Sequence, residues 1–207
     1  MSEIVRKKDV PALYDLADAS QYEYEDMEDV LDKFVQEIQD PIYRGLLIPR
    51  HYVENGCVFD EWKNGISHWT TSAEVAKEFS LQADDLDVMS SVEYLEDLGL
   101  IPHELVAKFW ECEQKIIDEY FVSVVLILKD VPPGIPLAHL LKTIQEDKEL
   151  AREYRKITQD ETPTELDKLI AEQEVTLHGY KFFAEASYTE EKITFIHVTA
   201  KPCDVDE

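Results

Sequence analysis

Three predicted strands follow one another at the end of the chain, with very few residues between them. They are EQEVTLH, YKFFAEASY and KITFIHVTA, within residues 172–200. Earlier predicted strands, at IYRGLLI, GISHWTT and FVSVVLIL, are mixed with helices and show no regular strand–helix–strand alternation. This order predicts an α+β fold with a largely antiparallel sheet arrangement and flanking helices.

Two helices are predicted before the middle of the chain. In residues 10–39, apolar side chains recur at helical spacing, and Asp40-Pro41 is expected to end that helix. These apolar residues are Val30, Leu31, Phe34, Val35 and Ile38. A second helix, SAEVAKEFSL, has Ser72 as its expected N-cap, with Val75, Ala76 and Phe79 on one face.

The 207 residues predict one domain, 1–207, with an N-terminal helical region at 1–40. A helical elaboration is expected at about 83–119. LAHLLKTIQEDKELAREYRKI is predicted as one helix, and a further helix is predicted at DETPTELDKLIAEQ, where Thr164 and Asp167 resemble a capping box.

Charge limits the classes of partner. The chain has 45 acidic and 20 basic residues, a formal net charge of −25. Nucleic-acid backbone and anionic membranes would repel it, so the balance favours basic partners or serves solubility alone. The opening segment lacks the apolar stretch that is typical of a secretory signal. The spacing of the three cysteines fits neither a metal site nor a set of disulfides; they are Cys57, Cys112 and Cys203. A cytoplasmic location is therefore expected, with no metal.

Three short segments carry candidate site residues. The first is Tyr43-Arg44-Gly45 on a predicted strand, where an arginine interrupts an apolar run and needs a partner, a ligand or water. The second is Trp69 followed by hydroxyls at 70–72, directly before a helix. The third is Glu172-Gln173-Glu174, where strand alternation would put both carboxylates on one face.

Each segment also has a purely structural explanation. Arg44 could snorkel or pair with one of the many acids, and the hydroxyls at 70–72 could simply cap the helix. The two glutamates could belong to a solvated strand face. The order of the three segments along the chain is what favours a site.

That order resembles the mono-ADP-ribosyltransferases of the arginine, Ser-Thr-Ser, Glu-x-Glu class, which include bacterial toxins and enzymes of tailed phages. The resemblance spans Ile42 to Thr199 and is most specific at SHWTTSAEVAKEFS. It implies two small, mostly antiparallel sheets packed across each other, with NAD as a substrate in the cleft between them. No further cofactor is implied.

The resemblance also implies roles for nine residues. Arg44 would bind the pyrophosphate of NAD, and the backbone of Gly45 would hold the nicotinamide amide. Thr70 would take the place of the first serine, orienting the catalytic glutamate, with Thr71 and Ser72 completing the motif. Tyr43 and Trp69 would line the nicotinamide pocket or pack in the core.

The two glutamates would divide the chemistry. Glu174 would accept a hydrogen bond from the ribose 2′-hydroxyl and stabilise the oxocarbenium-like transition state. Glu172 would help to deprotonate the acceptor, which the family pattern makes an arginine. The acidic segment QDETPTELDK, before Glu172, would favour a target protein with a basic surface.

The expected function is therefore transfer of ADP-ribose from NAD to an arginine of a protein. The protein would be a phage or bacterial effector that modifies host proteins in the host cytoplasm. If it is encoded by a phage, it would be carried in the virion. Three alternatives stay open. They are an NAD glycohydrolase of the same fold, a catalytically silent binder of basic proteins, and a nucleic-acid mimic.

Overall fold

The computed structural model describes residues 4–18, 27–39, 41–54, 58–59, 66–82, 85–158 and 164–203. The strands are β1 (Ile42–Pro49), β2 (Val58–Phe59), β3 (Ile66–Thr70), β4 (Phe121–Leu128), β5 (Glu174–His178), β6 (Tyr180–Glu190) and β7 (Ile193–Pro202). The first helices are α1 (Val10–Asp18), α2 (Glu28–Leu31), α3 (Arg50–Glu54), α4 (Ala73–Leu81) and α5 (Asp85–Asp97). The later helices are α6 (His103–Val106), α7 (Phe109–Tyr120), α8 (Leu137–Glu146), α9 (Lys148–Thr158) and α10 (Thr164–Ala171).

The seven strands form a mixed sheet in the order β2-β6-β7-β4-β1-β3-β5. Every neighbouring pair is antiparallel except β4 and β7, which are parallel. The α+β prediction is confirmed. The implied two sheets are here joined into one hydrogen-bonded sheet, and their junction is narrow, because β1 meets β3 at the single register pair Tyr43–Thr70.

The central strand β4 explains the most apolar run of the sequence. It lies between β1 and β7, and its residues from Val124 to Leu128 are all buried. A strand paired on both edges and covered on both faces has no solvent side, so its sequence shows no polar alternation. One face of the sheet holds a core around Trp69 and Phe182, and Ala76 of α4 packs on Val125 of the other face.

Two groups of helices flank the sheet. Residues of α1, α2, α8, α9 and α10 share one apolar cluster, which includes Leu13, Leu16, Leu141 and Ile144. Helices α5, α6 and α7 form another cluster around Phe109, against Phe121 of β4. Among the described residues, no helix is long and apolar enough to cross a membrane.

The helix predicted to run up to Asp40-Pro41 ends earlier. After α2 the chain makes one 3-10 turn, and Val35 is already extended, with ψ of 127°. The cause is a long-range contact, since Gln36 and Gly134 form an isolated β-bridge that draws the chain out of the helix. Val35 is consequently exposed rather than core.

The helix predicted at residues 137–157 is two helices, α8 and α9. Asp147 breaks the run with an extended backbone. Its Oδ1 accepts hydrogen bonds from the backbone N–H groups of Glu149 and Leu150, at 2.8 and 3.1 Å. This is side-chain N-capping of α9. The predicted Thr164–Asp167 capping box depends on the side chain of Thr164, which lies outside the described part of the structure.

Candidate active site

A pocket of about 230 Å³ lies at the narrow junction between β1 and β3. It brings together all the predicted site residues except Thr71 and Ser72. Its lining residues are Tyr43, Arg44, Gly45, Leu46, His68, Trp69, Thr70, Phe79, Glu172 and Glu174. Leu46, His68 and Phe79 were not among the predicted site residues.

The pocket lies where two strands pair at only one position. β1 and β3 pair at Tyr43–Thr70 only, although β1 pairs with β4 along its whole length and β3 pairs with β5 from Ile66 to Thr70. Residues 44–46 and 68–69 therefore line the pocket without ladder pairing between them in the described structure. Backbone N–H and C=O groups on such edges can hydrogen-bond a ligand inserted between them.

Helix α4 packs directly on the backbone of β1 at Gly45. A Cβ at this position would lie 1.8 Å from the carbonyl oxygen of Ala76 and 2.7 Å from the nitrogen of Ser80. Gly45 is thus required by the packing of the helix, whether or not its backbone also binds a ligand.

The same helix contributes Phe79 to the pocket. The predicted apolar face of α4 is correct for Ala76, which is fully buried, but Phe79 is 39% exposed and lines the pocket. Ser72 is the N-cap of α4, as predicted, since its Oγ accepts a hydrogen bond from the backbone N–H of Val75 at 3.3 Å.

Two of the three consecutive hydroxyls bind the turn that carries the glutamates. The Thr70 hydroxyl donates to the backbone carbonyl of Glu172 at 2.7 Å and accepts from the Ser72 N–H at 3.0 Å. The Thr71 hydroxyl donates to Oε1 of Gln173 at 2.9 Å, and its N–H donates to the Gln173 carbonyl at 3.2 Å. The end of β3 therefore positions Glu172 through the backbone.

Glu172 and Glu174 reach the pocket by a different route from the one predicted. Glu172 is not on the strand: it follows α10 in a turn, with its N–H bonded to the carbonyl of Lys168 at 3.0 Å, and β5 begins at Glu174. Gln173 between them has a φ of 53°, in the left-handed region. The prediction from strand alternation was wrong, yet both residues line the pocket.

The pKa of the Glu172 carboxyl is raised above its ordinary value. Burial raises the pKa of its carboxyl, Lys168 opposes this and lowers it, and Glu174 adds to the rise. Nζ of Lys168 lies 3.9 Å from Oε1 of Glu172. A carboxylate with a raised pKa is a stronger base than an ordinary one, which suits it to accept a proton.

Glu174 is buried, with 9% of its surface exposed, and its Oε1 contacts Nδ1 of His68. His68 was not among the residues predicted to form the site. The sequence could have indicated that His68 belongs to the site, because His68 and Thr70 are two residues apart on one strand and therefore share a face. Among the described residues, no group of three His, Cys, Asp or Glu side chains is placed to hold a metal ion.

The aromatic residues predicted at the pocket differ in their environments. Trp69 is 2% exposed, donates from Nε1 to the Ser67 hydroxyl at 3.0 Å, and packs against Phe182 with 4.8 Å between ring centroids. It is a core residue that also borders the pocket. Tyr43 and Arg44 are both half-buried.

Comparison with known proteins gave matches in structure only. No protein-family model matches the chain, and no curated protein matches it. Structures of the ADP-ribosyltransferase Vis do match, each with 13% sequence identity. The complex with the M6 inhibitor has a TM-score of 0.45, with 94% of this chain and 72% of that chain covered.

Two further structures of the same protein give similar values. The Vis toxin from Vibrio splendidus has a TM-score of 0.44, with coverage of 94% of this chain and 72% of that chain. The agmatine complex has a TM-score of 0.46 and covers 100% of this chain and 91% of that chain. At such identities and TM-scores, the similarity assigns neither an activity nor the role of any residue.

Proposed function

We propose that this protein transfers ADP-ribose from NAD to an arginine side chain of an acceptor protein and releases nicotinamide. One observation carries the proposal. Arg44, Thr70, Glu172 and Glu174 come from β1, β3, the turn after α10 and β5, and all four border one pocket. These are the residues that the resemblance to the arginine, Ser-Thr-Ser, Glu-x-Glu class implies for this reaction, with Thr70 in place of the first serine.

NAD would enter the pocket between β1 and β3. The edges of β1 and β3 at residues 44–46 and 68–69 would offer backbone groups, those of Gly45 among them, to the nicotinamide amide. Arg44, half-buried at the same edge, would donate to the pyrophosphate oxygens through its planar guanidinium. NAD is a substrate here, consumed in each turnover.

Glu174 would act on the ribose. The glycosidic bond to nicotinamide breaks through an oxocarbenium-like transition state, so positive charge develops on the ribose carbon. A buried carboxylate beside that carbon stabilises the charge more strongly than it would in water. Glu174 is the most buried carboxylate of the pocket, which supports this role.

Glu172 would act on the acceptor. A guanidinium is not nucleophilic while it carries its proton, so transfer to arginine requires a base at the acceptor side. Glu172 borders the same pocket as Glu174, is less buried, and has a carboxyl whose pKa is raised by burial. These properties support its assignment as that base.

The test is to measure both products from labelled NAD with free arginine as acceptor. Wild type should form ADP-ribosyl-arginine and nicotinamide. In Glu172→Gln we expect transfer to fall by about 100-fold or more while nicotinamide release into water persists. Glu185→Gln, on the exposed part of β6, is the matched control and should change neither rate. Nicotinamide release by wild type without any arginine product would instead identify an NAD glycohydrolase.

We further propose that the acceptor is a host protein with a basic surface, modified by a phage or bacterial effector. The formal net charge of −25 supports this, because it would steer basic proteins towards the site. The acidic segment 159–168 leads into Glu172, although residues 159–163 lie outside the described structure. Rates on a basic acceptor protein should fall steeply with added salt, and rates on free arginine should not. Equal salt dependence for both acceptors would contradict the proposal.

A further inference from the structure

We propose that His68 is a positioning residue that holds the carboxylate of Glu174 in its working orientation. This inference rests on the proposed function and adds a residue to it. Nδ1 of His68 contacts Oε1 of Glu174, and the same nitrogen lies 3.5 Å from the hydroxyl oxygen of Thr176. His68 itself borders the pocket.

The sheet register places His68 where it can do this. Thr70 of β3 lies opposite Glu174 of β5, and His68 lies opposite Thr176, the second residue after Glu174. Directly opposed residues of antiparallel strands share a face, so His68 and Glu174 are diagonal neighbours on the same side of the sheet. A diagonal pair is within reach of a side chain as long as histidine.

Thr70, the residue expected to orient Glu174, is already engaged. Its single hydroxyl proton is donated to the backbone carbonyl of Glu172, and its oxygen accepts from the Ser72 N–H. A hydroxyl has only one proton to donate, so Thr70 cannot also donate to Glu174 in this arrangement. The contact to Glu174 comes from His68 instead.

The contact and the burial of Nε2 together indicate where the ring carries its proton. An ionised carboxylate only accepts hydrogen bonds, so Nδ1 must carry the proton that it donates to Glu174. Nε2 is buried and has no hydrogen-bond partner among the described residues. A second proton on Nε2 would be a buried donor without an acceptor, which is costly. The geometry therefore favours the neutral ring with the proton on Nδ1.

A neutral donor suits the chemistry at Glu174. It fixes Oε1 and leaves the negative charge of the carboxylate uncompensated by a counter-ion at His68. The contact with His68 is made by Oε1, and Oε2 would then accept the hydrogen bond from the ribose 2′-hydroxyl. The other titratable or charged residues of the pocket lining are Tyr43 and Arg44 on β1 and Glu172 in the turn after α10.

The test compares two replacements whose side chains have the same number and branching of non-hydrogen atoms, His68→Asn and His68→Leu. Asparagine can place an N–H donor near the position of Nδ1, and leucine cannot. We measure nicotinamide release into water, because that step does not require Glu172. In His68→Leu we expect kcat to fall by about 10- to 100-fold with little change in KM for NAD, and in His68→Asn most of kcat should return. His103→Leu, which removes the exposed pair of His103 with Glu96, should have no effect.

Several results would overturn the role of His68. Equal losses of kcat in the asparagine and leucine variants would remove the donor argument, and an increase in KM alone would make His68 a binding residue. If wild type turns over NAD and both variants match it, His68 has no role although the proposed function stands. If wild type releases no nicotinamide, the proposed function fails and this inference fails with it.

A measurement independent of turnover tests the hydrogen bond itself. Nitrogen NMR of the side chain of His68, assigned by its absence in His68→Leu, should show a protonated Nδ1 and an unprotonated Nε2 at mildly alkaline pH. Glu174→Gln should change the Nδ1 resonance. A ring protonated on Nε2 would contradict the pairing, whatever the activity.

Discussion

Lys168 affects the pKa of the Glu172 carboxyl, so its replacement should change the pH dependence of the transfer reaction. As acceptor base, Glu172 must be ionised, so the transfer rate should be lost as pH falls through the pKa of its carboxyl. Lys168 lowers that pKa, in opposition to burial. In Lys168→Met the pKa should therefore rise further, and the acid limb of the transfer rate should move to higher pH.

The measurement is the pH profile of transfer to free arginine for wild type and Lys168→Met. Lys156→Met is the matched control, because Lys156 forms an exposed pair with Glu153 on α9, outside the pocket lining. The acid limb should not move in the control. An acid limb that stays in place in Lys168→Met, or moves to lower pH, would exclude Glu172 as the titrating base.

The close packing of α4 on β1 should make the stability of the protein sensitive to any side chain at Gly45. In Gly45→Ala the new methyl group would meet the Ala76 carbonyl oxygen at 1.8 Å, so the helix or the strand must move. We expect the free energy of unfolding to fall by about 3 kcal/mol. Urea unfolding measures this, and it separates the packing role of Gly45 from any role in NAD binding.

Gly99→Ala is the control for Gly45→Ala. Gly99 has a φ of +70°, but no described atom lies within 4 Å of the position that its Cβ would take, so its replacement incurs backbone strain alone. That strain is worth about 1–2 kcal/mol. A loss for Gly45→Ala no larger than the loss for Gly99→Ala would contradict the close packing of α4 on β1.

Local sequence signals predicted some elements correctly and missed the boundaries set by distant contacts. The apolar run at Val124–Leu128 and the cap at Ser72 could be read directly, because each depends on neighbours in sequence. The early end of the helix before Val35 could not, since a bridge between Gln36 and Gly134 sets it.

In the candidate site, too, local features were predicted and long-range contacts were missed. Most of its lining residues were predicted because short motifs carry them, and the pairing of His68 with Glu174 was missed because 106 residues separate the two. The route by which Glu172 reaches the pocket was also hidden. It depends on the left-handed backbone at Gln173, and glutamine has no strong preference for that conformation.

The net charge of the chain should make its thermal stability depend on salt concentration. A chain with a formal net charge of −25 repels itself when compact, and salt screens that repulsion. The thermal unfolding midpoint should therefore rise between low and moderate concentrations of NaCl. A neutral osmolyte at matched osmolality controls for solvent effects. A midpoint that falls as NaCl is added would show that favourable ion pairs outweigh the repulsion.

The pocket between β1 and β3 is proposed to cleave NAD, with Glu174 as the essential carboxylate. The most direct test is nicotinamide release from labelled NAD by wild type, Glu174→Gln and the exposed control Glu190→Gln. We expect release by wild type and by the control, and a loss of about 100-fold or more in Glu174→Gln with its folding unchanged. Release by Glu174→Gln at the wild-type rate, or no release by wild type, would contradict the claim.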